Sequence, residues 1–132
     1  MASTAWRKVW VGVMAIPAFA LAQGGPKALE GSWAAQWQAQ AGPAATAVLT
    51  VRDSGSTWRA TFPGGEMPKN PCQQREHAVR IQEPSAGRYR LVVEASKTMA
   101  GCQDAAATLT LVDPSHLEGQ WGNGQALKLQ RK

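Results

Sequence analysis

A chain of 132 residues with a formal net charge of +5 and 44% apolar residues has the length of a single domain. Its longest uncharged apolar stretch, residues 9–22, holds 14 residues, too few for a membrane-spanning helix, which needs roughly 20. These totals exclude a multidomain assembly and a helical membrane protein.

The first 22 residues read as a targeting segment. Arg7 and Lys8 form a charged start, residues 9–22 (VWVGVMAIPAFALA) an apolar middle, and Ala20-Leu21-Ala22 a small-x-small cleavage site. Together they describe a secretory signal peptide cut before Gln23. No cysteine lies at the cut to take a lipid anchor. The expected organisation is therefore a signal peptide over 1–22 and one domain over 23–132. The mature protein is periplasmic or secreted and has no transmembrane segment. Removing Arg7 and Lys8 leaves 12 basic residues against 9 acidic, a mild excess that draws a protein toward anionic surfaces or keeps it soluble.

Beyond the signal, punctuation by Gly, Pro, Asn, Asp and Ser recurs at AGP (41–43), RDSGS (52–56), PGGEMPKNP (63–71), EPSAG (83–87), MAGCQD (99–104), DPSH (113–116) and GNG (122–124). These residue types supply the backbone angles and local hydrogen bonds of turns. Short runs with a period of two lie between them. In chain order, one face of each carries Trp33, Ala35 and Trp37; Ala47, Leu49 and Val51; Trp58, Ala60 and Phe62; His77, Val79 and Ile81; Tyr89, Leu91 and Val93; Ala107, Leu109 and Leu111; Leu117, Gly119 and Trp121; and Leu127 and Leu129. Polar residues dominate the opposite faces. This is the alternation of half-buried antiparallel strands. Eight such strands joined by short turns predict an all-β fold, an eight-stranded antiparallel up-and-down barrel, because closure buries one face of every strand and removes the exposed edges. A two-sheet sandwich is the alternative.

Cys72 and Cys102 both follow the export signal. An even cysteine count in an oxidising compartment predicts a disulfide between them. The chain-entropy relation gives roughly 3.7 kcal/mol for closing a loop of that length.

Two pentads, LEGSW (29–33) and LEGQW (117–121), nearly repeat each other. Their flanks differ, AAQWQ after the first and GNGQA after the second, which argues against a duplication. In a closed meander they fall on neighbouring parts of the wall. There Gly31 and Gly119 allow close backbone approach, and Trp33 and Trp121 fill a barrel end.

The G-x-W of LEGSW, opening the first strand of a small exported meander, resembles the calycin group, meaning lipocalins and avidins. The resemblance implies a barrel whose mouth binds a small, often apolar molecule. It does not imply biotin binding, since the inward positions that contact biotin in avidins hold Ala35 and Trp37 here.

Six aromatic residues, Trp33, Trp37, Trp58, Phe62, Tyr89 and Trp121, fall on the inward faces. They either line a cavity for an apolar or amphipathic ligand or pack the barrel shut. Arg59, Arg80 and Arg90 fall outward and, if their strands adjoin, form a stripe for an anionic surface or an acidic protein. That outward face lacks the interleaved aromatics of a single-strand nucleic-acid site, so no specific nucleic acid is expected.

No metal-ligand spacing, nucleophile motif or phosphate-cradling loop occurs. No cofactor, catalytic residue or metal site is assigned, and the protein is expected not to be an enzyme. His77, on the apolar face of the fourth run, reads as a hydrogen-bonded core or rim residue. Two readings stand: a barrel that holds a small ligand, and a packed barrel that acts through its basic outer face.

Overall fold

The computed structural model describes residues 26–38, 44–62 and 69–132. The expected signal peptide, the AGP turn and most of the 63–71 loop lie outside these residues. Eight strands follow in order: β1 (Gly31–Gln38), β2 (Ala44–Val51), β3 (Ser56–Thr61), β4 (Glu76–Ser85), β5 (Arg88–Val93), β6 (Ala105–Asp113), β7 (His116–Trp121) and β8 (Ala126–Arg131). Each pairs antiparallel with the next, and β8 pairs back to β1 through Trp33↔Arg131 to Trp37↔Leu127. The sheet is thus a closed up-and-down barrel, and the two-sheet alternative is set aside. A short 3-10 helix (Lys27–Leu29) precedes β1, another (Pro71–Gln74) precedes β4, and a single turn of helix, α1 (Ala95–Thr98), follows β5.

The period-two reading matches the burial. In β1 Trp33 and Ala35 are buried while Ala34, Gln36 and Gln38 are exposed, and β5, β6 and β8 bury Tyr89, Leu91, Ala107, Leu109, Leu127 and Leu129 in the same alternation. These side chains meet in one continuous core. Among the described residues, the largest side chains that are fully buried are Trp33, Leu29, Leu49, Leu91, Leu117, Leu127, Leu129 and Val51. Removing one such apolar side chain from water contributes roughly 1.5–3 kcal/mol.

The connectivity gives the barrel two unlike ends. The turns β2–β3, β4–β5 and β6–β7, with residues 26–30, form the floor. The opposite strand ends, with residues 70–75, 95–104 and 122–125, surround the mouth. At the floor Leu29 enters the core, and its carbonyl accepts the indole N–H of Trp33 at 2.8 Å. The Arg131 guanidinium lies 4.3 Å from the Trp33 ring centre. It donates to the carbonyls of Glu30 (2.6 Å), Ala28 (3.0 Å) and Pro114 (3.0 Å). One cation thereby ties the last strand to the entry of the first strand and to the β6–β7 turn.

The two pentads do unlike work. Gly31 has φ +123°, a conformation that strains any side-chain-bearing residue, and leads Trp33 into the floor. Gly119 is needed for space: a Cβ there would lie 1.8 Å from the Thr108 carbonyl oxygen. Trp121 stands at the mouth end of β7. The pentads lie on nearby strands separated by β8, as expected, but the repeat places one tryptophan at each end of the barrel rather than both at one end.

A disulfide joins Cys72 and Cys102. It fastens the 3-10 helix before β4 to the segment between α1 and β6, so it belongs to the rim of the mouth. Asn70 caps that 3-10 helix by accepting from the Cys72 N–H at 2.9 Å.

Candidate functional site

Inward positions near the mouth carry three indoles, two of which have an alanine as a cross-strand neighbour. Ala45 is the cross-strand partner of Trp37, and Ala107 that of Trp121. Trp58 stands between Leu49 of β2 and His77 of β4. The three indoles converge. Their ring centres are 5.7 Å apart for Trp37–Trp58 and 5.5 Å for both Trp37–Trp121 and Trp58–Trp121, the latter two edge to face. Such contacts are favourable beyond the area they bury. The room left by small inward residues is thus taken up by indoles, and the barrel below them is packed.

Above this triad the mouth opens into a cup of about 1420 Å³. Trp37, Trp58, Phe62 and Trp121 line it, with Val93 and Ala95 on another side. Polar groups also line it, from Thr46 and Thr61 on the wall and from Asn70, Arg75, Gln103, Asp104 and Asn123 around the rim, among others. Four of the six aromatic residues expected to face a ligand are therefore at the cup. Trp33 and Tyr89 are not; both are buried in the core away from it. Burial, then the charge of Glu83, pushes the Tyr89 hydroxyl above its usual range.

His77 lines the cup and is 5% exposed. Its Nε2 lies 2.6 Å from the Cys72 carbonyl oxygen. A carbonyl only accepts, so Nε2 carries the proton, and in the neutral ring Nδ1 presents a lone pair. Among the described residues three buried side-chain polar atoms lack a hydrogen-bond partner: Ser56 Oγ, His77 Nδ1 and Trp121 Nε1. Ser56, at the floor end of β3, is remote from the cup; the other two belong to residues that line it. One is an acceptor and the other a donor.

Carboxylates fix the surrounding rim. Asp104 accepts from the Ser96 N–H at 2.9 Å. That hydrogen bond holds its carboxyl below the usual aspartate value. Glu94, nearly buried, meets Lys97 at 3.2 Å and Arg80 at 3.8 Å. Arg59 lies 3.9 Å from Glu76. The outward arginines do not form a bare cationic stripe: Arg59 and Arg80 each face a carboxylate. Arg90 is exposed, diagonal to Arg80 through the pairs Arg80↔Val92 and Gln82↔Arg90.

Sequence reasoning passed over Arg131, although a signal was present. It continues the inward series Leu127, Leu129, and a charge on an apolar face calls for a partner. The 3-10 helix that supplies its carbonyls carries too short a pattern to be recognised.

No family model matches the chain, and no curated protein matches it. The solved structure of a redesigned β-barrel aligns with 80% of this chain and 92% of its own, at 16% identity and a TM-score of 0.46. The barrel assignment rests on the strand pairing itself. Among the described residues no helix is long and apolar enough to cross a membrane.

Proposed function

We propose that this is an exported, non-catalytic, calycin-like barrel that holds a small apolar or amphipathic molecule in the cup at its mouth. The observation that carries the reading is the cup itself, an opening of about 1420 Å³ walled by Trp37, Trp58, Phe62 and Trp121. Concave sites that join aromatic walls to polar groups are a usual form of small-molecule site, and this cup joins its indoles to a polar rim. Export is supported by the signal-like first 22 residues and by the Cys72–Cys102 disulfide, which suits an oxidising compartment. The packed-barrel alternative accounts for the floor and the middle of the molecule, but it leaves the cup without a purpose. Its basic outer face is weakened by the carboxylates beside Arg59 and Arg80.

Native mass spectrometry of the mature protein, purified gently after export, tests the reading. An extra mass that leaves on denaturation is expected. Tryptophan emission should also transfer to the uncharged fluorophore N-phenyl-1-naphthylamine when it enters the cup. A bare mass together with no transfer would overturn the proposal.

A further inference from the structure

The cup differs from the core beneath it in the side chains that line it. Leucines fill the core, but among the described residues no leucine, isoleucine or methionine lines the cup. Its apolar wall consists of indoles, Phe62, alanines and Val93. Five amides join them: Asn70, Gln73, Gln103, Asn123 and Gln125. Formal charge is sparse and balanced, with one guanidinium, Arg75, and one carboxylate, Asp104. The Cys72–Cys102 bridge, with Cα atoms 5.8 Å apart, holds Gln73 and Gln103 on adjoining segments of the rim, since each follows one of the two cysteines. Both glutamines are exposed.

These parts select among ligands. An aliphatic chain reaching the rim would displace water from the amides and return no hydrogen bond. An anion would find a single cation, offset by a carboxylate. An amide both donates and accepts, and so does a hydroxyl, so a neutral molecule bearing many hydroxyls can satisfy such a rim. An indole is negative over its face, which suits the C–H groups that cover one side of a sugar ring. Resting on the reading of the cup as a ligand site, we propose that its ligand is a neutral oligosaccharide. Sugar rings pack their C–H faces against the half-buried indoles of Trp37 and Trp121, and hydroxyls at their edges exchange hydrogen bonds with Gln73 and Gln103. The opening of about 1420 Å³ exceeds the roughly 300–1,000 Å³ of a drug-sized site and has room for more than one ring.

Calorimetric titration of the mature, disulfide-bonded protein tests this with cellotriose, maltotriose and tri-N-acetylchitotriose, three neutral sugars that differ in linkage and substituents. N-phenyl-1-naphthylamine is titrated in parallel by fluorescence. At least one trisaccharide is expected to bind at millimolar concentration or below, with an affinity indifferent to salt. The double variant Gln73→Ala, Gln103→Ala changes only exposed rim positions. It should weaken that trisaccharide about tenfold and leave the fluorophore's affinity unchanged. Fluorophore binding without binding of any trisaccharide would overturn the sugar assignment and leave the cup as a site for apolar molecules. Trisaccharide binding that the double variant does not weaken would overturn recognition by these amides. No binding of either kind would overturn the cup itself as a ligand site.

Discussion

The floor and the mouth of this barrel are made from similar parts and finished differently. Each has a tryptophan from an L-E-G-x-W pentad on its inner face. At the floor the indole N–H of Trp33 meets the Leu29 carbonyl at 2.8 Å, and a guanidinium covers its ring. At the mouth the indole N–H of Trp121 meets nothing among the described residues, and neither does Nδ1 of His77. The floor holds Trp33 as a fully buried indole under a guanidinium, whereas three indoles meet at the mouth. The hydrogen bonding of the two pentad indoles also differs, although Ser56 Oγ at the floor end of β3 is itself without a partner. The floor's indole is tied to the entry of the first strand, and the mouth's indole is left without a hydrogen-bond partner among the described residues.

The sharpest way to break this contrast is to remove the floor's cation. Arg131→Ala deletes three bonds to carbonyls and the contact with Trp33, and charge-assisted bonds are worth more than neutral ones. A loss of about 3 kcal/mol is expected in urea unfolding. The cup should keep its affinity for the naphthylamine probe in the folded fraction. A loss of less than about 1 kcal/mol would show that Arg131 does not hold the floor together.

A paired substitution sharpens the contrast further. Trp33→Phe leaves the buried Leu29 carbonyl without its donor and leaves a gap in the core, for an expected cost of about 2 kcal/mol. Trp121→Phe removes a donor that has no partner and trims the ring contacts with Trp37 and Trp58, for an expected cost of about 1 kcal/mol or less. Equal losses at the two sites would erase the distinction between floor and mouth.

How far the sequence carried the fold follows from the same residues. Alternation in the inward series from Trp33 to Leu129 was legible, because one face of each strand is buried and the side-chain period is two. The disulfide was legible from an even cysteine count after a segment that reads as an export signal. Which end each aromatic reaches was not. That depends on the stagger of pairing around the barrel, a property of all eight strands together. Trp33 and Trp121 therefore looked equivalent in the sequence. The approach of Glu76 to Arg59 and of Glu94 to Arg80 was hidden for a related reason, since the partners are distant in sequence and meet only once register or a turn has placed them.

The smallest expected effect concerns acid. Asp104 at the rim is held below its ordinary value of 3.8 chiefly by the Ser96 N–H. Asp113, in the floor turn, is held below 3.8 first by the hydrogen bond from His116 and then by the Ser115 N–H. A carboxyl lowered in the folded state adds stability above its unfolded value, and that stability is lost as pH falls through the lowered folded value. Asp104→Asn and Asp113→Asn should each flatten the fall in stability below about pH 4 seen in urea midpoints. Unchanged slopes in both would mean that neither carboxyl contributes to acid sensitivity.

The latch formed by Arg131 also bears on how the chain reaches its native state. The hairpins of the meander join neighbours, but Arg131 reaches the Glu30 carbonyl across 101 positions. Seven of the eight strand pairings can form between consecutive segments. The eighth, β1 with β8, must gather the two extremes of the domain and carries the largest loss of chain entropy. Until it forms, both strands are bare edges open to pairing with other chains. Closure and latch use the same residue, since Arg131 pairs with Trp33 through its backbone and covers it with its side chain. The step that completes the barrel is thus also the step that retires its adhesive edges.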